Sequence, residues 1–183
     1  MRSRLTVILV LALAGYAVPA MATGAIVDII TLHDSARLAN HTKARDAAVS
    51  EARRGGSNSD IAVMDKLLFA ERRTFDGLDL TGNWQCRTTK VGGLASLVVY
   101  SWFRCRITDD GSGWMLRKLT GSQRTTGRFF TDSDTRLIYL GSGTVNDDVP
   151  RPYASGRESD QAGYVFRTGR KTWHIEFPYP YYE

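Results

Sequence analysis

The chain is poor in the residues that build common catalytic centres. It has three histidines in 183 residues, His33, His41 and His174, scattered with no His-x-x-x-His or Glu-bearing zinc pattern. Each reads as a surface or helix-packing histidine, and no metal or cofactor is expected. Ser101, Ser122 and Ser142 lack the Gly-x-Ser-x-Gly context of a nucleophile elbow. Gly141-Ser142-Gly143 lacks the lysine and helix start that a phosphate loop requires. Asp109-Asp110 and Asp147-Asp148 fall in turns and are most simply solvated. Beyond the N-terminus no segment is apolar enough to span a bilayer, and there is no internal repeat or low-complexity tract. Together these absences lower the case for an enzyme without removing it.

The N-terminus is distinctive. Arg2 and Arg4 precede an apolar run from Leu5 to Val18, and Ala20-Met21-Ala22 follows. A charged start, a short apolar middle and a small-x-small exit describe a secretory signal cleaved near Ala22. A spanning helix needs ~20 apolar residues, more than this run supplies. No cysteine stands near the cleavage point, so lipid attachment there is excluded. Removing Arg2 and Arg4 takes the formal charge from +5 to +3. That mild excess suits an anionic surface or partner. Export makes nucleic acid an unsuitable partner, and the expected location is periplasmic or secreted. The two cysteines, Cys86 and Cys105, are permitted to bridge in an oxidising compartment. The alternative is two buried thiols.

Three segments follow: a signal peptide over 1–22, a helical segment over 23–77 and a sheet domain over 78–183. A first helix is expected from about Thr31 or Asp34 to Arg54, alanine-rich, with Arg53 and Arg54 at its dipole-favoured end and Gly55-Gly56 as its stop. A second starts after Ser57-Asn58-Ser59 and fades near Phe69, with Ile61, Met64, Leu67 and Leu68 at helical spacing. From Leu80 the period becomes two. Strands are expected near 80–90, 97–108, 113–120, 124–131, 136–142, 161–167 and 172–178, most of them separated by glycine-bearing turns. The fold class is therefore α+β: two N-terminal helices, then an antiparallel meander forming a small lipocalin-like barrel. The longest loop, about Gly143 to Asp160, carries Pro150 and Pro152.

The first hairpin is the most informative part. Alternation puts Trp84 and Cys86 on one face of the first strand, with Asn83, Gln85 and Arg87 on the other. In the second strand Leu97, Val99, Phe103, Cys105 and Ile107 share the apolar face. Val98, Tyr100, Trp102, Arg104 and Arg106 share the opposite one. Both cysteines thus land on the apolar side, which supports a hairpin with Cys86 directly opposite Cys105. In that register Arg87 faces Arg104, with Lys90 and Arg106 nearby. Opposed like charges repel, so this pair calls for an anion. A helix carboxylate such as Asp34, Asp46, Glu51 or Asp65 is the favoured source, and a bound ligand is the alternative. A second polar cluster, Lys118, Gln123 and Arg124, stands at a later hairpin turn. It reads either as a ligand contact or as strand-end capping.

Gly82-Asn83-Trp84 resembles the Gly-x-Trp that begins the first strand of lipocalin-like barrels, a class that includes periplasmic metalloprotease inhibitors. A wider set also carries a resemblance. It comprises Cys86-Arg87-x-x-Lys90-x-Gly92-Gly93, Phe103-Arg104-Cys105-Arg106-Ile107, Lys118-Leu119-Thr120-Gly121-Ser122-Gln123-Arg124, Tyr139-Leu140-Gly141, Phe177-Pro178-Tyr179-Pro180 and the leading Asp34-x-Ala36-Arg37-Leu38. In these the chain resembles the proteobacterial family DUF4893. The resemblance implies an exported domain and assigns no catalytic residue. It also implies one more strand past Pro180, so a chain ending at Glu183 is expected to leave the barrel incomplete.

The functional expectation is a non-catalytic exported binding module, with protease inhibition as a narrower form of it. Its candidate contact residues are Arg87, Lys90, Tyr100, Trp102, Arg104, Arg106, Lys118, Gln123 and Arg124. The partner would be an anionic ligand or an envelope protein. The rival is an envelope enzyme acting on a sugar or peptide polymer.

Overall fold

A computed structural model describes residues 23–181. The expected signal segment, 1–22, lies outside the described residues. Four helices come first: α1 (Thr23–Ile29), α2 (Leu32–Ala39), α3 (His41–Gly55) and α4 (Asn58–Leu68). Seven strands follow: β1 (Gly82–Val91), β2 (Leu97–Asp109), β3 (Trp114–Lys118), β4 (Gln123–Ser133), β5 (Arg136–Val145), β6 (Asp160–Gly169) and β7 (Thr172–Glu176). The strands form one sheet in sequential order, every pair antiparallel. The class is α+β, and the sheet is a curled half-barrel.

The helical layer departs from the two-helix expectation. The long first helix is broken at Asn40, whose side-chain amide donates to the Ala36 carbonyl at 2.8 Å. Its backbone N–H reaches both Ala36 and Arg37. A short amide that satisfies its own backbone competes with helix continuation, so α2 stops and α3 restarts on a new axis. α1 precedes them. Thr31 and Ser57 cap α2 and α4 by accepting from the backbone of Asp34 and Asp60.

The inner face of the curl holds the main core, including Leu80, Ile107, Leu116, Phe129, Tyr139 and Val165. Residues 69–81 run as a strap across the lower end. Arg73 pairs with Arg167, and the Phe75 N–H donates to the Asp134 carbonyl. The Tyr139 ring needs bare backbone beside it. A Cβ at Gly127 or Gly141, which pair with each other, would stand within 2.6 Å of that ring or its hydroxyl. This explains Tyr139-Leu140-Gly141.

On the outer face, Ile26 of α1 and Leu38 of α2 pack on Ile138, Leu140 and Ala162. Val49 and Ala52 of α3, with Met64 of α4, pack on Leu97 and Val91 at the top of the first hairpin. Seven strands in an up-and-down order leave β1 and β7 parallel to each other, so the antiparallel ladder cannot close between them. Helix α3 spans that seam instead. Its first turns carry His41 and Arg45, which bind Glu176 of β7 at 2.8 and 3.2 Å. Its later turns reach β1. A Cβ at Gly92 would lie 3.2 Å from the Ala48 Cα, so the glycine and the alanine-rich face are required together.

The first hairpin corrects the expected register. Cys86 and Cys105 are disulfide-bonded, Cα to Cα 5.9 Å, but diagonally. Cys86 stands opposite Phe103, and Cys105 opposite Trp84. The slip is two residues, which preserves the face of every side chain below the bulge. Twist shortens one diagonal of a sheet enough for a bridge. A bulge then sets four residues of β2 (Val99 to Trp102) against three of β1 (Arg87 to Thr89). The extra residue reverses the facing of β2 beyond it. Leu97 therefore points outward beneath α3 and α4, not into the barrel with Phe103 and Cys105 as alternation alone implied.

Candidate functional site

The corrected register rearranges the basic face. Arg87 stands opposite Trp102 and not opposite Arg104, and its guanidinium stacks over the indole at 4.7 Å. Gln85 opposes Arg104, and Asn83 opposes Arg106. The like-charge pair moves one strand over. The turn between β2 and β3 sets Arg106 directly opposite Arg117. Arg104, Arg106 and Arg117 are all exposed, and Trp102 keeps 59% of its surface accessible. No acidic side chain among the described residues pairs with any of these three arginines. The favoured internal carboxylate is thus not there. Asp34 belongs to Arg37, and Asp65 to Arg53. The helices cover the outer face at the top of the hairpin and leave its lower half bare.

Arg117 was absent from the sequence candidates. It was legible in principle: the four-residue turn Asp110 to Gly113 sets its register against Arg106. The neighbouring Arg128 is not part of the open patch, because Asp110 holds it through two hydrogen bonds. Those bonds hold the Asp110 carboxyl below its usual range, at about 2.

The remaining candidates lie elsewhere. Tyr100 is exposed at the bulge. Lys90 pairs with Val98 beyond the bulge, on the opposite parity to Arg87. Lys118 points to the inner face, its ammonium 4.0 Å from the Phe103 ring centroid and 3.2 Å from the Thr88 hydroxyl. Burial, and then the charge of Arg124, pushes its pKa down. Arg124 donates to the Gly121 carbonyl and to Asp147 at 3.0 and 2.8 Å, bracing the turn and the β5–β6 loop. Gln123 is exposed at the start of β4. The turn joins the basic face at the Arg104 backbone: the Thr120 hydroxyl accepts from the Arg104 N–H at 2.9 Å, and the Leu119 N–H donates to the Arg104 carbonyl at 2.8 Å.

Two buried polar clusters were not singled out from sequence. Asp34, fully buried, accepts from Arg37 at 2.8 Å and from the Tyr153 hydroxyl at 2.7 Å. Arg37 also donates to the Pro178 carbonyl at 3.0 Å. This ties α2 to the long loop and to the Pro178 segment, joining two of the motifs that carry the resemblance. Burial pushes the Tyr153 phenol up to about 12. In the second cluster Glu176 takes His41 on one oxygen and His174 on the other, at 2.8 and 3.0 Å. Burial alone would raise the Glu176 carboxyl, but the two histidines bring it to about 2. Both imidazoles are occupied by the same carboxylate, and neither is bonded to a hydroxyl. This arrangement clamps α3 to β7 and activates no nucleophile. Among the described residues no group of three or more metal-binding side chains could hold an ion.

The best-formed hollows are open grooves. One, about 770 Å³, lies at the lower seam between β1, the strap and the β6–β7 turn. The other, about 470 Å³, lies along α3 beside Phe69. The inner face of the half-barrel carries the main hydrophobic core.

No curated protein and no solved structure matches the chain. A family model described as a domain of unknown function (DUF4893) matches residues 27–183, which takes in α2 to α4, the strap and every strand. The motifs that carry the resemblance all fall inside that span, and the chain belongs to the DUF4893 family.

Proposed function

We propose that this chain is an exported, non-catalytic interaction module that holds an acidic partner on the outer face of β1–β3. One observation carries the reading. Arg106 stands directly opposite Arg117, with Arg104 beside them, and none is neutralised from within. Opposed like charges on neighbouring strands cost a few tenths to ~1 kcal/mol. A bound carboxylate would reverse that cost. The exposed Trp102, held flat by Arg87, adds apolar contact at the patch edge. The rigid sheet lowers the ordering cost of recognition. Export is supported by the disulfide, by the N-terminal sequence and by the lack, among the described residues, of any helix able to cross a membrane. The half-barrel is read as a lipocalin-like sheet on the Gly82-Asn83-Trp84 start to β1.

Poly-L-glutamate is a suitable probe. The chain should bind it at low salt, with affinity falling steeply as salt rises. The triple variant Arg104→Glu, Arg106→Glu, Arg117→Glu should lose at least about tenfold, ~1.4 kcal/mol or more. Its melting temperature should hold, because no internal ion pair is broken and one opposed like-charge pair replaces another. Binding equal to the unsubstituted chain would refute the reading.

A further inference from the structure

The lower seam is an unpaired edge beside a basic wall. Among the described residues β1 pairs only with β2, so every second backbone N–H and C=O of Gly82 to Arg87 faces away from the sheet. Edge strands are usually protected by lysine, proline, a bulge or a covering helix. Here the protection is confined to the upper half, where Ala48 of α3 closes on Gly92. The lower half, Gly82-Asn83-Trp84-Gln85-Cys86-Arg87, carries neither lysine nor proline. It forms one wall of the 770 Å³ groove through Asn83, Trp84 and Gln85, with Trp102 at the rim.

The opposite wall is cationic. Arg170 and Lys171 of the β6–β7 turn line it and have no acidic partner among the described residues. Arg167 stands with them, its guanidinium held by the Thr74 and Gly169 carbonyls. The acid in the lining, Asp79, is already engaged by the Thr81 N–H and hydroxyl at 2.8 and 2.7 Å. Leu78 and Trp84 give the groove an apolar part of its lining, and Trp84 meets Trp173 edge to face at 5.7 Å. Tyr181 bonds Glu158, beside the long loop at the other end of the barrel.

We infer that the lower seam receives an extended acidic segment of a partner protein as an added strand along Gly82–Arg87. The inference rests on the reading of the chain as a module for an acidic partner, and names how that partner is held. Main-chain hydrogen bonds to the β1 edge supply sequence-tolerant affinity, and alternate side chains reach opposite sides of the groove. Carboxylates on one side meet Arg170 and Lys171. Apolar side chains on the inner side rest against Trp84. A backbone-paired segment needs about five or six residues to cover this length, at ~3.3 Å each.

The test uses two synthetic ten-residue peptides of alternating glutamate and valine, identical except that one is N-methylated at every backbone amide, which blocks both edges of the strand. Both carry the same charge, but only the first can pair along a strand. The unmodified peptide should slow hydrogen exchange of amides within 82–87 at least tenfold, and the methylated one should not. Arg170→Glu with Lys171→Glu should weaken the unmodified peptide at least fivefold. Equal binding of both peptides without protection of 82–87 would overturn the inference while leaving the basic face as a site. No binding of either would overturn it too, and the poly-L-glutamate result with the triple arginine variant then tells whether the broader reading survives. Concentration-dependent protection of 82–87 without peptide would show a second copy as the occupant, and would also overturn it.

Discussion

Glu176 shows how one residue sets the position of a whole helix. Its carboxylate is enclosed by His41 and Arg45 from α3 and by His174 from its own strand, with Arg72 over the adjacent Phe166 ring. Burial works against the charge, but the surrounding donors hold the folded-state carboxyl at about 2, below its ordinary 4.5. A depressed acid contributes stability that is present above the unfolded value and is lost as pH falls toward the folded one. Glu176→Gln should therefore destabilise at neutral pH by roughly 2–3 kcal/mol. The gap to the unsubstituted chain should narrow between pH 4.5 and about 2. Urea unfolding at a series of pH values measures this. A gap independent of pH would show that shape, and not charge, holds α3 to β7.

At the scale of elements, the β1–β2 hairpin combines a disulfide, a bulge and an open edge. The bridge closes 19 residues of chain and joins the two strands below the bulge. Replacing both cysteines by alanine should cost ~3 kcal/mol in the chain-entropy description. Differential scanning calorimetry of the double variant, beside the native chain with and without reductant, would measure it. A double variant as stable as the native chain would mean that the bridge adds nothing to the register. The bulge has a separate role. By turning Leu97 outward it gives α3 and α4 an apolar seat, while Trp102, on the near side of the bulge, stays exposed.

At the scale of the molecule, α3 joins the two ends of an open sheet. His41 and Arg45 hold β7, and Ala48, Val49 and Ala52 hold the top of β1 and β2. Ala52 is fully buried. Ala52→Leu would overpack that contact and should cost about 1–3 kcal/mol. Because the helix is shared, hydrogen exchange should speed up both at the top of the first hairpin and along β7. Faster exchange at the hairpin alone would show that the two ends are held independently.

Much of this was readable without coordinates, and the reason is periodicity. All seven strands fall where the period-two pattern and the glycine turns put them. The cysteine faces follow from parity, which a two-residue slip cannot disturb. The motifs that carry the resemblance pointed to the family. What alternation cannot carry is pairing register and facing beyond a bulge, because these depend on turn geometry and on what packs across the strand. Arg87 was therefore paired with the wrong partner, Leu97 was assigned to the wrong side, and Arg117 went unnoticed. The helix break at Asn40 escaped for a similar reason: its alanine-rich surroundings favour continuation, and one amide bonding its own backbone outweighed them. Only the tertiary structure determined that an odd meander leaves its end strands parallel, that α3 spans the gap, and that the lower edge of β1 stays open beside Arg170 and Lys171. Each of these is a relation between segments far apart in sequence, and local composition does not encode such relations.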